Sequence, residues 1–301
     1  MKLATTIGDF SGYANSPAQA IEYIAKAGFK CIDYGFGTDY AERSGVYAED
    51  WNCYIESIKE KCENLGVKLV QAHSPMGRPI SADNEQFIAD TIRCVEACGM
   101  WGIKNLVVHT GYDFWLTKEE CFEKNKAFFE PILAVAEKWN VNILAENFNR
   151  MCVPNLYWID NAPDLLEFIE YVNHPLLQAC WDIGHANMQM MPQDEAIKIL
   201  GKHIKALHVQ DNYGDLTADN HFAPFFGSIN MDAVMHGLMD IGYDGYFTFE
   251  ATNMFTSAGK RKAYNKDDKL MNVPISVKLK GEELLLEIGK AILTAYNCYE
   301  E

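Results

Sequence analysis

The segment Cys180-Trp181-Asp182-Ile183-Gly184-His185 sets a carboxylate and an imidazole three positions apart, at the end of the short apolar run 176–181. Facing one cavity, such a pair can share a metal ion or a proton. Gly184 would let the chain turn between them, since glycine takes unusual backbone angles without steric cost. The same tetrapeptide would also serve as a capped turn leading into a helix, so other residues must decide. Five more strand-like runs end in the same manner. Residues 67–72 lead to His73, 104–108 to His109, 142–145 to Glu146, 204–207 to His208 and 245–249 to Glu250. A lone strand-end histidine is more often a hydrogen-bonded structural group, which is the plainer reading for His73 or His109 alone. Six successive strand ends carrying His, Asp or Glu are another matter, because so many polar groups are costly to bury together without a cation.

Glu146, Asp182, His208 and Glu250 form an oxygen-rich set with one imidazole, suited to Mn²⁺, Zn²⁺, Mg²⁺ or Co²⁺. They are the expected metal ligands. His73 and His109 are candidates for an additional metal or for substrate. Asp219-Asn220-His221 reads either as an Asx-type turn or as two further ligands. Trp115, Phe148, Trp181 and Phe225 stand near these positions, as apolar walls or as ordinary packing.

What must position these side chains is an alternation that returns eight times. Strands are expected at 3–7, 30–34, 67–72, 104–108, 142–145, 176–181, 204–207 and 245–249. Helices are expected at 16–27, 48–65, 83–98, 117–139, 162–172, 194–200, 231–241 and 281–296. Pro17 stands in a first turn, Thr117 to Glu120 has the capping-box pattern, and Gly28, Gly66 and Gly99 follow helix ends. Short apolar runs without alternation suit a parallel sheet buried on both faces. Eight strand-helix units in this length predict a closed (β/α)8 TIM barrel, one domain over 1–301, whose chemistry sits at the C-terminal strand ends. Two loops are long, 211–230 and 251–281. The second carries Lys260-Arg261-Lys262 and Lys266-Asp267-Asp268-Lys269, which fit a solvated lid or an oligomer contact better than a phosphate clamp.

With 301 residues, 49% of them hydrophobic, the chain can bury a large core, and no apolar stretch reaches a membrane-spanning length. The N-terminus has no signal-peptide pattern, and nine scattered cysteines without a CxxC pair suit reduced thiols; a cytoplasmic protein is expected. A net charge of −16 argues against a broad nucleic-acid-binding face and is easier to reconcile with a small or neutral substrate.

The segments Leu144-Ala145-Glu146-Asn147, Trp181-Asp182-Ile183-Gly184-His185, Ala206-Leu207-His208-Val209-Gln210-Asp211 and Thr248-Phe249-Glu250 resemble the xylose-isomerase-like barrel superfamily. That group includes sugar and sugar-phosphate isomerases, the tagatose and psicose 3-epimerases, inosose isomerases and dehydratases, hydroxypyruvate isomerase and endonuclease IV. The resemblance to the epimerases implies one divalent metal on Glu146, Asp182, His208 and Glu250. It also implies Glu146 and Glu250 as an acid/base pair and His185 as a hydrogen-bond donor to a substrate oxygen. Two positions depart from the epimerase pattern: Cys152 stands where those enzymes have a further glutamate and Gly214 where they have an arginine, for which Arg150 is a candidate substitute. The resemblance to endonuclease IV implies a multi-zinc phosphodiesterase, with matches at His73, His109, Glu146, Asp182, His185, His208, Asp219, His221 and Glu250. A sugar isomerase or epimerase is the first expectation; an inosose-type dehydratase or lyase comes second, and a DNA-repair enzyme third.

Overall fold

The structure, a computed structural model, describes residues 1–149, 151, 155–157, 159–255, 265–269 and 271–301. Arg150, Cys152 and the Lys260-Arg261-Lys262 run lie outside these residues. Eight parallel strands form the sheet: β1 (Lys2–Thr6), β2 (Cys31–Gly35), β3 (Lys68–His73), β4 (Asn105–His109), β5 (Asn142–Glu146), β6 (Leu177–Asp182), β7 (Ile204–His208) and β8 (Tyr246–Phe249). The ladder runs β7-β6-β5-β4-β3-β2-β1-β8. Its two edges meet beyond the ladder proper, where Val209 N–H donates to Thr248 O (2.8 Å) and Glu250 N–H to Val209 O (3.0 Å). The result is the expected (β/α)8 barrel, closed at one seam.

Helices α1 (Pro17–Ala27), α2 (Gly37–Glu42), α3 (Trp51–Leu65), α4 (Glu85–Trp101), α5 (Lys118–Trp139), α6 (Ala162–Val172), α7 (Ile183–Met188), α8 (Gln193–Leu200), α9 (Met231–Asp240) and α10 (Ile275–Ala295) follow or join the strands. Ser16 caps α1 and Thr117 closes a reciprocal capping box with Glu120 on α5, satisfying backbone donors that the helix itself cannot. Several expected boundaries move, among them the end of α4 and the start of α10. α4 runs through Gly99 and stops at Gly102, which has φ +77°; Gly99 is a point of close approach, where a Cβ would come within 2.3 Å of the Trp139 ring. α10 starts at Ile275 rather than 281. Its first turns are held by a buried pair, Lys278 Nζ to Glu282 Oε2 at 3.2 Å, while Glu282 Oε1 accepts from Thr5 Oγ1 at 3.0 Å.

Strand alternation sorts the side chains into two cores. Outward residues such as Leu106, Val108, Ile143, Ala145, Ala179, Trp181 and Leu207 pack beneath the helices. Inward, Val107, Leu144, Cys180 and Ala206 form a separate small apolar layer. The next inward position on each of those strands is two residues on: His109, Glu146, Asp182 and His208. The barrel interior therefore floors the ligand-type residues with hydrocarbon. Among the described residues no helix is long and apolar enough to cross a membrane.

Candidate active site

Register places the inward residues level with one another. His109 lies opposite Glu146 across β4 and β5, and Asp182 opposite His208 across β6 and β7. Glu146, 1% exposed, is the hub of the resulting cluster. Its Oε2 lies 2.9 Å from His109 Nε2 and 3.2 Å from His73 Nε2; its Oε1 lies 2.7 Å from His208 Nδ1. Glu250, just past β8, brings Oε2 to 3.5 Å from the same His208 Nδ1.

Glu146, Asp182, His208 and Glu250 each offer one ligand atom, and these atoms all lie within 4.8 Å of one another. A buried Asp182 Oδ2 finds no hydrogen-bond partner among the described residues, with His185 Nδ1 3.5 Å away, so this oxygen has coordination to spare for a cation. The donor set of three carboxylates and an imidazole fits a divalent metal. Burial pushes the Asp182 carboxyl up to about 6, and the charges of Glu146 and Glu250 add to that. Glu146 goes the other way: burial would raise its pKa, but His208 and the hydrogen bonds from His109, His208 and His73 hold it well below the carboxylate range. A cation held here would add to the compensation that those ring nitrogens give Glu146.

A second group stands beside the first. His185 Nε2 and His221 Nε2 lie 3.2 and 2.9 Å from Asp219 Oδ2, and the three residues also offer ligand atoms within 4.8 Å of one another. His73, Glu146 and His208 make a third such group that shares two members with the first. All nine positions singled out in the sequence are thus gathered at one rim of the barrel. His185 is oriented from behind by Asn147 O, 2.9 Å from its Nδ1. Burial would lower its pKa, but Asp182 and Asp219 raise it well above the usual value.

The cluster opens into a cavity of about 530 Å³. Its wall includes His73, His109, His185 and Glu250, continues over Phe148 and Met76, and extends to Ile7, Phe10 and Pro17 around the β1–α1 connection. Asp182 and His208, both fully buried, lie beneath it. Of the aromatic walls expected from sequence, Phe148 packs on His109 and His185. Trp181 faces the outer core, and Trp115 and Phe225 are exposed.

Gly184 has a role other than the expected one. It lies within α7 at ordinary backbone angles, and what it supplies is room: a Cβ there would come within 2.0 Å of Gln210 Cδ. Gln210 was not among the expected site residues; neither were Asp33, Gln71 and Asn147. Asp33 Oδ2 lies 3.4 Å from His208 Nε2 and accepts from Gln71 Nε2 at 2.9 Å, so a carboxylate stands behind the imidazole and its Nδ1 faces the ligand set. Asn147 clamps the Asp182 backbone, its Nδ2 donating to Asp182 O (2.8 Å) and its Oδ1 accepting from Asp182 N–H (2.7 Å). A charged residue within the apolar strand Cys31-Ile32-Asp33-Tyr34, and polar residues two positions from His73 and His208, were the available signals. Gly214, where the resemblance implied an arginine in the epimerases, has φ +74°.

A barrel whose strand ends converge on a ring of carboxylates and imidazoles belongs to a recognisable class of (β/α)8 proteins with a polar centre at the C-terminal rim. More narrowly, the chain belongs to the xylose isomerase-like TIM barrel family, whose model matches residues 21–267. An uncharacterized protein of Methanocaldococcus jannaschii is 27% identical over 243 residues, 76% of this chain and 79% of its own. The D-psicose 3-epimerase of Ruminiclostridium cellulolyticum is 22% identical over 241 residues, covering 76% of each chain. Among solved structures, a D-tagatose 3-epimerase-like protein superposes with a TM-score of 0.72 at 23% identity, over 99% of this chain and 98% of its own, a likeness of fold.

Proposed function

We propose that the protein is a divalent-metal-dependent epimerase or isomerase of a small sugar, working by proton abstraction next to a carbonyl. The observation that carries this reading is the group Glu146, Asp182, His208 and Glu250, with ligand atoms within 4.8 Å of one another and a buried Asp182 oxygen that makes no hydrogen bond. The psicose and tagatose names among its relatives support the sugar as substrate class. Mn²⁺ or Zn²⁺ is the expected ion, with Mg²⁺ or Co²⁺ compatible with the same donors. When bound, it would polarise a carbonyl and an adjacent hydroxyl and so acidify the carbon-bound hydrogen between them.

The chain's own groups do the rest. Glu146 comes from β5 and Glu250 from the far edge of the ladder beyond β8, with His208 Nδ1 between them. Two carboxylates approaching from different strands can take a proton from one face of a carbon and return one to the other. His185 lines the cavity, and its Nε2, 3.2 Å from Asp219 Oδ2, would donate to the substrate oxygen on which charge develops by exchanging that partner. Phe148, Met76 and Phe10 shield the reacting end from bulk water. A dehydratase would use the same abstraction and then expel a hydroxyl, so product analysis separates the two.

The test is turnover of a panel of ketoses and inososes, free and phosphorylated, by metal-loaded protein in D₂O. Deuterium at the carbon beside the carbonyl is expected, with loss of turnover in Glu146→Gln and in Glu250→Gln. Full activity in either variant overturns the acid/base pair.

A second reading is favoured by one observation, the His185, Asp219 and His221 group beside the first. With it the site can hold more than one cation, as a multi-zinc phosphodiesterase would. The net charge of −16 opposes binding to a phosphate backbone. Metal counting decides: about one per chain favours the epimerase and about three the phosphodiesterase, where tight binding of abasic DNA at physiological salt is also required.

A further inference from the structure

Gln210 touches both ligand groups and is a member of neither. It lies two residues after His208 on the same inward face, is fully buried, and its side-chain amide donates twice. Nε2 lies 3.3 Å from Asp182 Oδ1 and 3.1 Å from Asp219 Oδ1. Asp182 Oδ1 also accepts from His185 N–H (2.7 Å), which leaves Oδ2, 3.5 Å from His185 Nδ1, as the oxygen without a hydrogen bond, and Asp219 Oδ2 is the oxygen shared by His185 and His221.

The direction of the amide is fixed. Gln210 Oε1 accepts from Asn212 Nδ2 (3.3 Å), which also donates to Gly184 O (2.9 Å). Asn212 Oδ1 accepts from Asn187 Nδ2 (2.9 Å) and from Gly214 N–H (3.0 Å). Reversing the Gln210 amide would set its oxygen against two carboxylate oxygens and its NH₂ against another NH₂. Gly184 leaves the space for this arrangement, since a Cβ would overlap Gln210 Cδ at 2.0 Å. Unlike a lysine or arginine, the amide is neutral, so it orients both carboxylates without cancelling the negative charge that a cation needs.

We infer that Gln210 is a positioning residue: one amide presents a single oxygen of Asp182 and a single oxygen of Asp219 to their respective groups, and so sets the metal affinity of both together. This rests on the metal reading of the site. Removing a hydrogen-bonding partner of this kind weakens metal binding by about 10- to 100-fold.

The experiment titrates metal-free protein with Co²⁺, following the visible absorption of the bound ion and counting metal after dialysis, in wild type, Gln210→Met and Gln210→Asn. Met keeps the length without donors. Asn keeps the amide but is one methylene short of spanning both carboxylates. Circular dichroism verifies that each variant is folded. Both are expected to bind Co²⁺ about 10- to 100-fold more weakly, with an altered spectrum. Wild-type affinity and spectrum in whichever variant folds overturns the positioning role. A wild-type protein that takes up no Co²⁺, Mn²⁺ or Zn²⁺ overturns the metal reading itself, and this inference with it, and the wild-type control tells the two failures apart.

Discussion

The four-residue group and the His185, Asp219 and His221 group sit side by side, yet they are built in different ways. In the first, Glu146, Asp182 and His208 stand in hydrogen-bonded strands over an apolar floor of Val107, Leu144, Cys180 and Ala206. In the second, Asp219 and His221 come from the long connection after β7, where His221 has φ +49° and Phe225 φ +73°. Non-glycine residues pay steric strain in that region, so something must impose it. Asp211 and Phe222 exchange backbone hydrogen bonds (2.8 Å each) beside His221, and the buried Asp211 carboxylate ties the loop further on, accepting from Asn212 N–H (2.8 Å), Gly227 N–H (3.0 Å) and Ile229 N–H (3.1 Å). His221 is then pinned from both sides, its Nδ1 at Glu250 O (2.9 Å) and its carbonyl accepting from Asn253 N–H (3.0 Å). One group is thus held mainly by a sheet and the other largely by a loop tied through Asp211, and they should fail differently.

The largest effect is expected at the hub. Glu146→Gln should lower kcat by about 10³-fold or more in steady-state assays, and retention of a tenth of wild-type activity would break the comparison at its stronger end. Next comes the residue both groups depend on. Gly184→Ala drives a Cβ into Gln210 and should cost about 3 kcal/mol in urea denaturation; an unchanged midpoint would mean that the contact relaxes freely. A more selective change is Asp211→Ala, which strips three backbone donors of their acceptor. We expect a loss of about 2 kcal/mol, with faster hydrogen exchange confined to 212–229 and the strands left protected. Exchange spreading into β6 and β7 would show that the two groups unfold as one. The smallest effect is expected for His221→Ala, about tenfold or less in kcat/KM, with metal still bound by Glu146, Asp182, His208 and Glu250 in elemental analysis.

The two groups were also unequally legible. Strand ends declare themselves, because a two-residue period fixes which side chains face inward and the charged residue closing each apolar run is visible by eye. Glu146, Asp182, His208 and Glu250 follow from that rule. Asp219 and His221 do not, since nothing local dictates that a long loop folds back over its own barrel; only the Asp-x-His spacing hinted at it. The partners behind the ligands were hidden for another reason. Asp33, Gln71 and Gln210 obey the same inward period, but a polar residue inside a strand gains meaning only when its neighbour across the ring is known. Gly184 was read as a hinge because glycine has two uses, freedom and absence of bulk, which sequence cannot separate. Gly99 misled in the same way at the end of α4.

One consequence of the ring's closure concerns its weakest joint. Among the described residues the β7 and β8 edges are stitched by backbone hydrogen bonds at Val209, and His208 and Glu250 flank that stitch, one from each edge. An ion gripping both would act as a buckle across the join, so chelation should loosen the barrel there first, with amides of 204–209 and 246–250 exchanging ahead of those in β4 and β5.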